Sequence, residues 1–208
     1  MKKIFQLLVA LFFLSSSQLT LAYSDKATVL EGADISHIER LAIAAPLYMP
    51  IKDSPSMEEL VQLLDEASKS SKCQIITYDA MVQNILRDKQ IDLLKTDRHV
   101  GAKIFRDNVA NYADAYMILT VANNSRTAFF FDVYKAGTNE LLYSYQIIAD
   151  RDEPDDVKTY TMLAQKFYKN FDWSIEEAQT SQEKAAKEAR EKAKKDAERA
   201  AKEKKEGR

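Results

Sequence analysis

The side chains best suited to chemistry in this chain are few: two histidines, His37 and His99, one cysteine, Cys73, and one acidic run, Asp150-Arg151-Asp152-Glu153-Pro154-Asp155-Asp156. His37 closes Asp34-Ile35-Ser36-His37, which holds the three residue types of a nucleophilic triad. Neighbours along a chain rarely reach the mutual geometry a triad needs, so His37 reads as a surface or capping histidine. His99 follows Asp97-Arg98 in the first turn of an expected helix and has no metal co-ligand near it in sequence. The acidic run offers carboxylates to Ca²⁺ but lacks the glycine and alternating ligand positions of an EF-hand loop. Acids just before a helix are also favoured by the helix dipole, and that structural reading is preferred over a weak divalent site. Cys73 opens the β-prone run Cys73-Gln74-Ile75-Ile76-Thr77-Tyr78 and reads as a buried, inert thiol. As the only cysteine it can form no intramolecular disulfide.

Glycine is scarce where chemistry often needs it. Apart from Gly207, only Gly32, Gly101 and Gly137 occur, so neither G-x-G-x-x-G nor a P-loop can bring backbone amides against a phosphate. H-E-x-x-H, C-x-x-C and G-x-S-x-G are absent as well, which removes the common zinc, redox and serine-hydrolase signatures. No catalytic, cofactor-binding or metal-ligating residue is therefore assigned, and no cofactor is expected. The formal net charge is −2. From Glu176 onward eleven Lys or Arg face nine Asp or Glu, and residues 23–175 hold 17 against 23, about −6. Electrostatic steering toward nucleic acid is not expected.

These residues must be positioned by elements that the hydrophobic pattern marks out. Met1 to Ala22, with Lys2 and Lys3 ahead of an apolar stretch and Thr20-Leu21-Ala22 at its end, reads as a secretory signal peptide cleaved after Ala22. The expected site of action is the periplasm or beyond, with no lipid-attachment Cys and no direct membrane anchor. Residues 23–38 form a polar lead-in, 39–175 an α/β domain and 176–208 a charged helical tail. Leu41-Ala42-Ile43-Ala44-Ala45-Pro46-Leu47 is apolar throughout, as a strand covered on both faces is. Ser56 and Glu59 stand at capping-box spacing, and Met57, Leu60, Val61, Leu64 and Ala67 form one stripe of the helix that follows. With the strand Gln74 to Tyr78 this makes a parallel strand, helix, strand unit. Asp79 is expected to cap a second helix with Val82, Ile85 and Leu86 inward, and Asp97 a third with Val100, Ile104, Asn108 or Val109, and Tyr112 inward. Ala115 to Ala122, Arg126 to Tyr134 and Leu141 to Ala149 read as an antiparallel meander in which Phe129, Phe131 and Val133 share one face and Phe130, Asp132 and Tyr134 the other. Val157, Tyr160, Leu163, Ala164, Phe167, Phe171 and Ile175 line a last helix, and beyond Gln179 the sequence has almost no large apolar side chain. The expected architecture is α/β (α+β): a mixed sheet of about five strands, helices on one or both faces, and a projecting charged helix.

The order of Leu41 to Leu47, Tyr112-Ala113-Asp114-Ala115-Tyr116-Met117-Ile118-Leu119 and Lys135-Ala136-Gly137-Thr138-Asn139-Glu140-Leu141-Leu142-Tyr143-Ser144 resembles the α/β domain shared by CsgG-like secretion channel subunits, LpoB and the N-terminal domain of TolB. It spans residues 39–172. The charged tail is similar in composition to the periplasmic helix of TolA. The resemblance implies a non-enzymatic adaptor that binds other envelope proteins, and the signal-peptide reading with no lipid-attachment Cys makes the expected protein soluble. Two alternatives remain open: a metal-assisted periplasmic hydrolase using His37, His99 or the Asp150 to Asp156 acids, and a structural protein that self-associates through its tail.

Overall fold

The structure, a computed structural model, describes residues 24–206, with side-chain surroundings through residue 197. The expected signal peptide, Met1 to Ala22, lies outside the described residues. The apolar run after Glu39 forms β2 (Arg40–Ile43), and it sits inside the sheet as its composition requires. It runs parallel to β3 (Gln74–Ile76) on one side and to β4 (Ala115–Asn123) on the other. Beyond Ile43 the chain stays beside β4, with the Ala44 amide donating to the Met117 carbonyl at 2.9 Å and the Leu47 amide to the Leu119 carbonyl at 2.7 Å. The expected meander follows as β4, β5 (Thr127–Lys135) and β6 (Leu141–Ile148), all antiparallel.

A sixth strand, β1 (Ser24–Val29), comes from the stretch read as a polar lead-in and pairs antiparallel with β6. All six of its residues are exposed, so no alternating pattern marks it in sequence. Backbone pairing holds it, together with the Tyr145 hydroxyl donating to Asp25 Oδ2 at 2.8 Å. The order is β1-β6-β5-β4-β2-β3, an open mixed sheet with β1 and β3 at its edges.

Helix α1 (Met57–Ser68) starts at the expected capping box: the Glu59 amide donates to Ser56 Oγ and the Ser56 amide to Glu59 Oε2. Helix α2 (Tyr78–Lys89) is capped by Thr77, not by Asp79, because Thr77 precedes the helix and its Oγ1 accepts from the Ala80 amide at 3.2 Å. Helix α3 (Arg98–Asn108) is capped by Asp97 as expected, and Ile104, Val109 and Tyr112 of the expected stripe pack on the core, but Val100 does not. Gly101, Phe105 and Val109 are buried, while Val100 is 51 % exposed. Burying the Phe105 ring against Tyr116 outweighs burying Val100. Helix α4 (Val157–Glu206) is one continuous helix of 50 residues, started by Asp156 Oδ1 accepting from the Thr159 amide.

The two sheet faces are covered differently. Leu41 and Ile43 of β2 join a core with α1 and α4, while Ala42 and Ala44 join a second core with α2 and α3. The α1/α4 face is aromatic: Phe129, Phe131, Tyr143 and Tyr145 meet Tyr160, Phe167 and Phe171. On the opposite face α2 and α3 pack over β2, β3 and β4, with Tyr134 of β5 at the margin of that core. Phe130 and Ile148, farther along that face, are half-buried and belong to neither core.

Where α4 leaves the domain it is clamped from two loops. Asp172, nearly buried, accepts from Ser71 Oγ at 2.9 Å and from the Lys72 amide at 2.8 Å. Lys72 pairs with Glu176, and Gln179 Nε2 donates to the Ser36 carbonyl at 2.9 Å.

Candidate functional site

The chemistry-bearing residues do not converge. Asp34 sits between its two partners: Ser36 Oγ donates to Oδ1 at 2.7 Å, and His37 Nε2 lies 3.5 Å from Oδ2. The imidazole therefore contacts the carboxylate and not the hydroxyl it would have to activate, and it is 80 % exposed. Those bonds, the one from Ser36 first, hold the Asp34 carboxyl below the usual carboxylate range. His37 precedes β2, whereas His99 stands in the first turn of α3, beside Arg98, which reaches the chain past the far end of β2. Three acids of the acidic loop serve structure: Asp150 lies 3.6 Å from Arg126, Glu153 accepts from the Asp150 amide, and Asp156 caps α4. Burial pushes the Cys73 thiol up to about 11, which withholds the reactive thiolate at neutral pH. Among the described residues no group of three His, Cys, Asp or Glu could hold a metal ion.

What the fold does build is a cleft of about 210 Å³ on the α2/α3 face. Its walls are Ala44, Ala45 and Leu47 just past β2, Tyr116 and Ile118 of β4, and Gly101, Ala102 and Phe105 of α3. Small residues at the points of closest approach make it, because Ala44, Ala45, Gly101 and Ala102 leave unfilled the space that larger side chains would occupy. The topology explains its place. From β2 the chain crosses to β3 by way of α1 on one face, then returns past β2 to β4 by way of α2 and α3 on the other. Connections that part to opposite faces leave a crevice at the carboxyl end of the first parallel strand, where open α/β sheets bind ligands.

The rim of this cleft is cationic. Arg98 Nη2 donates to the Pro46 carbonyl at 3.2 Å, which ties α3 to the chain after β2 and holds one guanidinium at the mouth. Arg106, two turns on, lines the same cleft, and among the described residues it forms no ion pair. Burial pushes the Tyr116 hydroxyl up, and the Arg106 charge opposes that shift. Lys103, on the same helix, is engaged with Asp107 at 2.5 Å. Past Arg106 the cleft continues as an open groove floored by Tyr116 and Tyr134, whose rings stack at 5.4 Å, and bordered by Asn139, which accepts from the Tyr116 hydroxyl at 2.8 Å.

No protein-family model and no curated protein matches the chain. Among solved structures it is similar to the PelC dodecamer from Paraburkholderia phytofirmans, at 10% identity and a TM-score of 0.39, over 73% of this chain and 98% of that one. It is also similar to the LpoB C-terminal domain from Escherichia coli, at 14% identity and a TM-score of 0.41, over 57% of this chain and 88% of that one. LpoB is one of the proteins that the sequence order resembles. At these scores the likeness concerns the general course of the chain and says nothing of what this protein binds.

None of the cleft residues was marked by motif. Arg98, Ala102 and Arg106 recur every four residues and so share one stripe of α3, and that spacing was the available signal. Among the described residues no helix is long and apolar enough to cross a membrane.

Proposed function

We propose that this protein is an exported, non-enzymatic binding module of the bacterial cell envelope that acts through protein–protein contacts. Export rests on the signal-peptide reading of Met1 to Ala22, and the mode of action rests on the cleft. An apolar crevice with a cationic rim, placed at a topological switch point and opening onto a half-bare sheet face, supplies what recognition needs: a pocket for an anchor and charges to orient it. Its walls offer tyrosine hydroxyls and guanidinium groups but no histidine, carboxylate or thiol for proton transfer or nucleophilic attack.

The test is affinity capture from envelope extracts of the native host, with wild-type protein and Ala102→Trp. Ala102 is exposed on α3 while lining the cleft, so the indole fills the opening without entering the core. A partner retained by the wild type and lost from the variant is the expected outcome. Identical captures with the two proteins, or none with either, would overturn the reading.

A further inference from the structure

Taken without the groove past Arg106, the cleft is smaller than small-molecule sites, which run from about 300 to 1,000 Å³. At about 210 Å³ it suits a single large apolar side chain, the kind of pocket an interface anchor fills. Arg98 and Arg106 stand eight residues apart on one stripe of α3, so they bracket the pocket at about 12 Å along the helix axis. An extended strand covers that distance in about four residues. Charge complementarity fixes the sign of what lies between them. Helix α3 and its Asp97 cap carry Arg98, Lys103 and Arg106 against Asp97 and Asp107, about +1, while residues 23–175 as a whole are about −6. An acidic segment is therefore repelled by most of the domain and attracted at this helix.

We propose, building on the binding-module reading, that the cleft recognises an extended acidic segment of a partner protein. One large apolar residue enters the pocket, and carboxylates about two residues to either side of it meet Arg98 and Arg106. The groove beyond Arg106 receives the rest of the segment, where the Tyr116 and Tyr134 hydroxyls and Asn139 can bond its backbone. An anionic lipid shares the chemistry of charge plus apolar body, but its acyl chains exceed this cavity and would stay largely in water.

The experiment is fluorescence polarisation with full-length mature protein and a labelled nine-residue peptide whose central phenylalanine has aspartate two positions before it and glutamate two positions after. Binding in the micromolar range is expected. Affinity should fall at least tenfold when the phenylalanine becomes alanine, when both acids become amides, and in Arg106→Ala, and it should fall with added salt. Circular dichroism melting of Arg106→Ala and Ala102→Trp, matching wild type, shows that the fold is intact. Equal binding of the amide peptide, no binding up to 1 mM, or cleft-dependent binding of phosphatidylglycerol vesicles in preference to the peptide would each overturn the proposal. If Ala102→Trp still loses its envelope partner while the acidic peptide fails to bind, the cleft remains the recognition site and only the acidic occupant is wrong. If the variant also keeps every partner, the binding-module reading falls with it.

Discussion

The two faces of the sheet differ in how completely they are filled. On the α1/α4 face the Phe131 and Phe167 rings stack at 4.2 Å, Phe167 stacks again on Phe171 at 5.6 Å, and Tyr160 meets Phe129 edge-on at 5.0 Å. On the α2/α3 face the core thins out at Tyr134 of β5, and alanines and a glycine line the cleft where larger side chains would narrow it. Stability is concentrated where nothing can enter, and access is left where packing is incomplete. A single aromatic-rich core on one side lets the other side stay open at its surface.

The sharpest way to break this contrast is to remove the same ring from each face. Phe167→Ala should cost about 3–5 kcal/mol in urea unfolding, as a fully buried ring with two stacked partners does. Phe130→Ala, on the bare half of the opposite face, should cost under about 1 kcal/mol. Equal losses would mean that both faces carry the core. A smaller effect is expected at the amino ends of the parallel strands, which belong to neither face. Asp114 accepts there from the amides of Arg40 at 2.9 Å and Glu39 at 3.1 Å and pairs with the Arg40 guanidinium at 2.9 Å. Burial pushes its carboxyl up, but these bonds more than reverse the effect and hold it below the usual range. A depressed carboxylate contributes its stability above the unfolded value of about 4, and that contribution is lost as pH falls through the lower folded value. Asp114→Asn should therefore cost about 1 kcal/mol at pH 7 and flatten the acid limb of stability against pH. An unchanged acid limb would assign that slope elsewhere.

The smallest and most telling change is Gly101→Ala. A Cβ there meets nothing closer than the Leu93 carbonyl at 3.8 Å, so the helix should gain about 0.5–1 kcal/mol from the better helix former. The same methyl narrows the cleft. A rise in melting temperature with weaker partner capture is the expected pair of results. Stabilisation without loss of capture would separate the glycine from recognition.

The elements that bury one clear stripe were legible from sequence. The apolar run of β2, the Ser56–Glu59 box and the alternation of Phe129, Phe131 and Val133 each state a period and a face, and the structure follows them. β1 left no such trace, because an edge strand with every side chain exposed is held mainly by backbone pairing, with the Tyr145–Asp25 bond as its side-chain tie to β6. The inward side of α3 is only partly legible: Ile104, Val109 and Tyr112 pack as the period predicts, but Phe105 is buried in place of Val100, because Tyr116 stands where only Phe105 can meet it. The cleft was hidden for a related reason. It is made of side chains that are missing bulk, contributed by segments more than fifty residues apart, and an absence of volume has no periodicity to read.

The clamp at the exit of α4 has a geometric consequence. With Asp172, Glu176 and Gln179 fixed to the loops around Lys72 and Ser36, the helix cannot turn about its own axis relative to the domain. From Gln179 to Glu206 it extends about 40 Å at 1.5 Å per residue, and its backbone advances about 100° per residue from a fixed starting angle. Removing two residues beyond Gln179 would swing everything farther out by about 200°. Removing seven would bring it about 10 Å nearer and leave its bearing within about 20°. The arm thus encodes an angle as well as a distance.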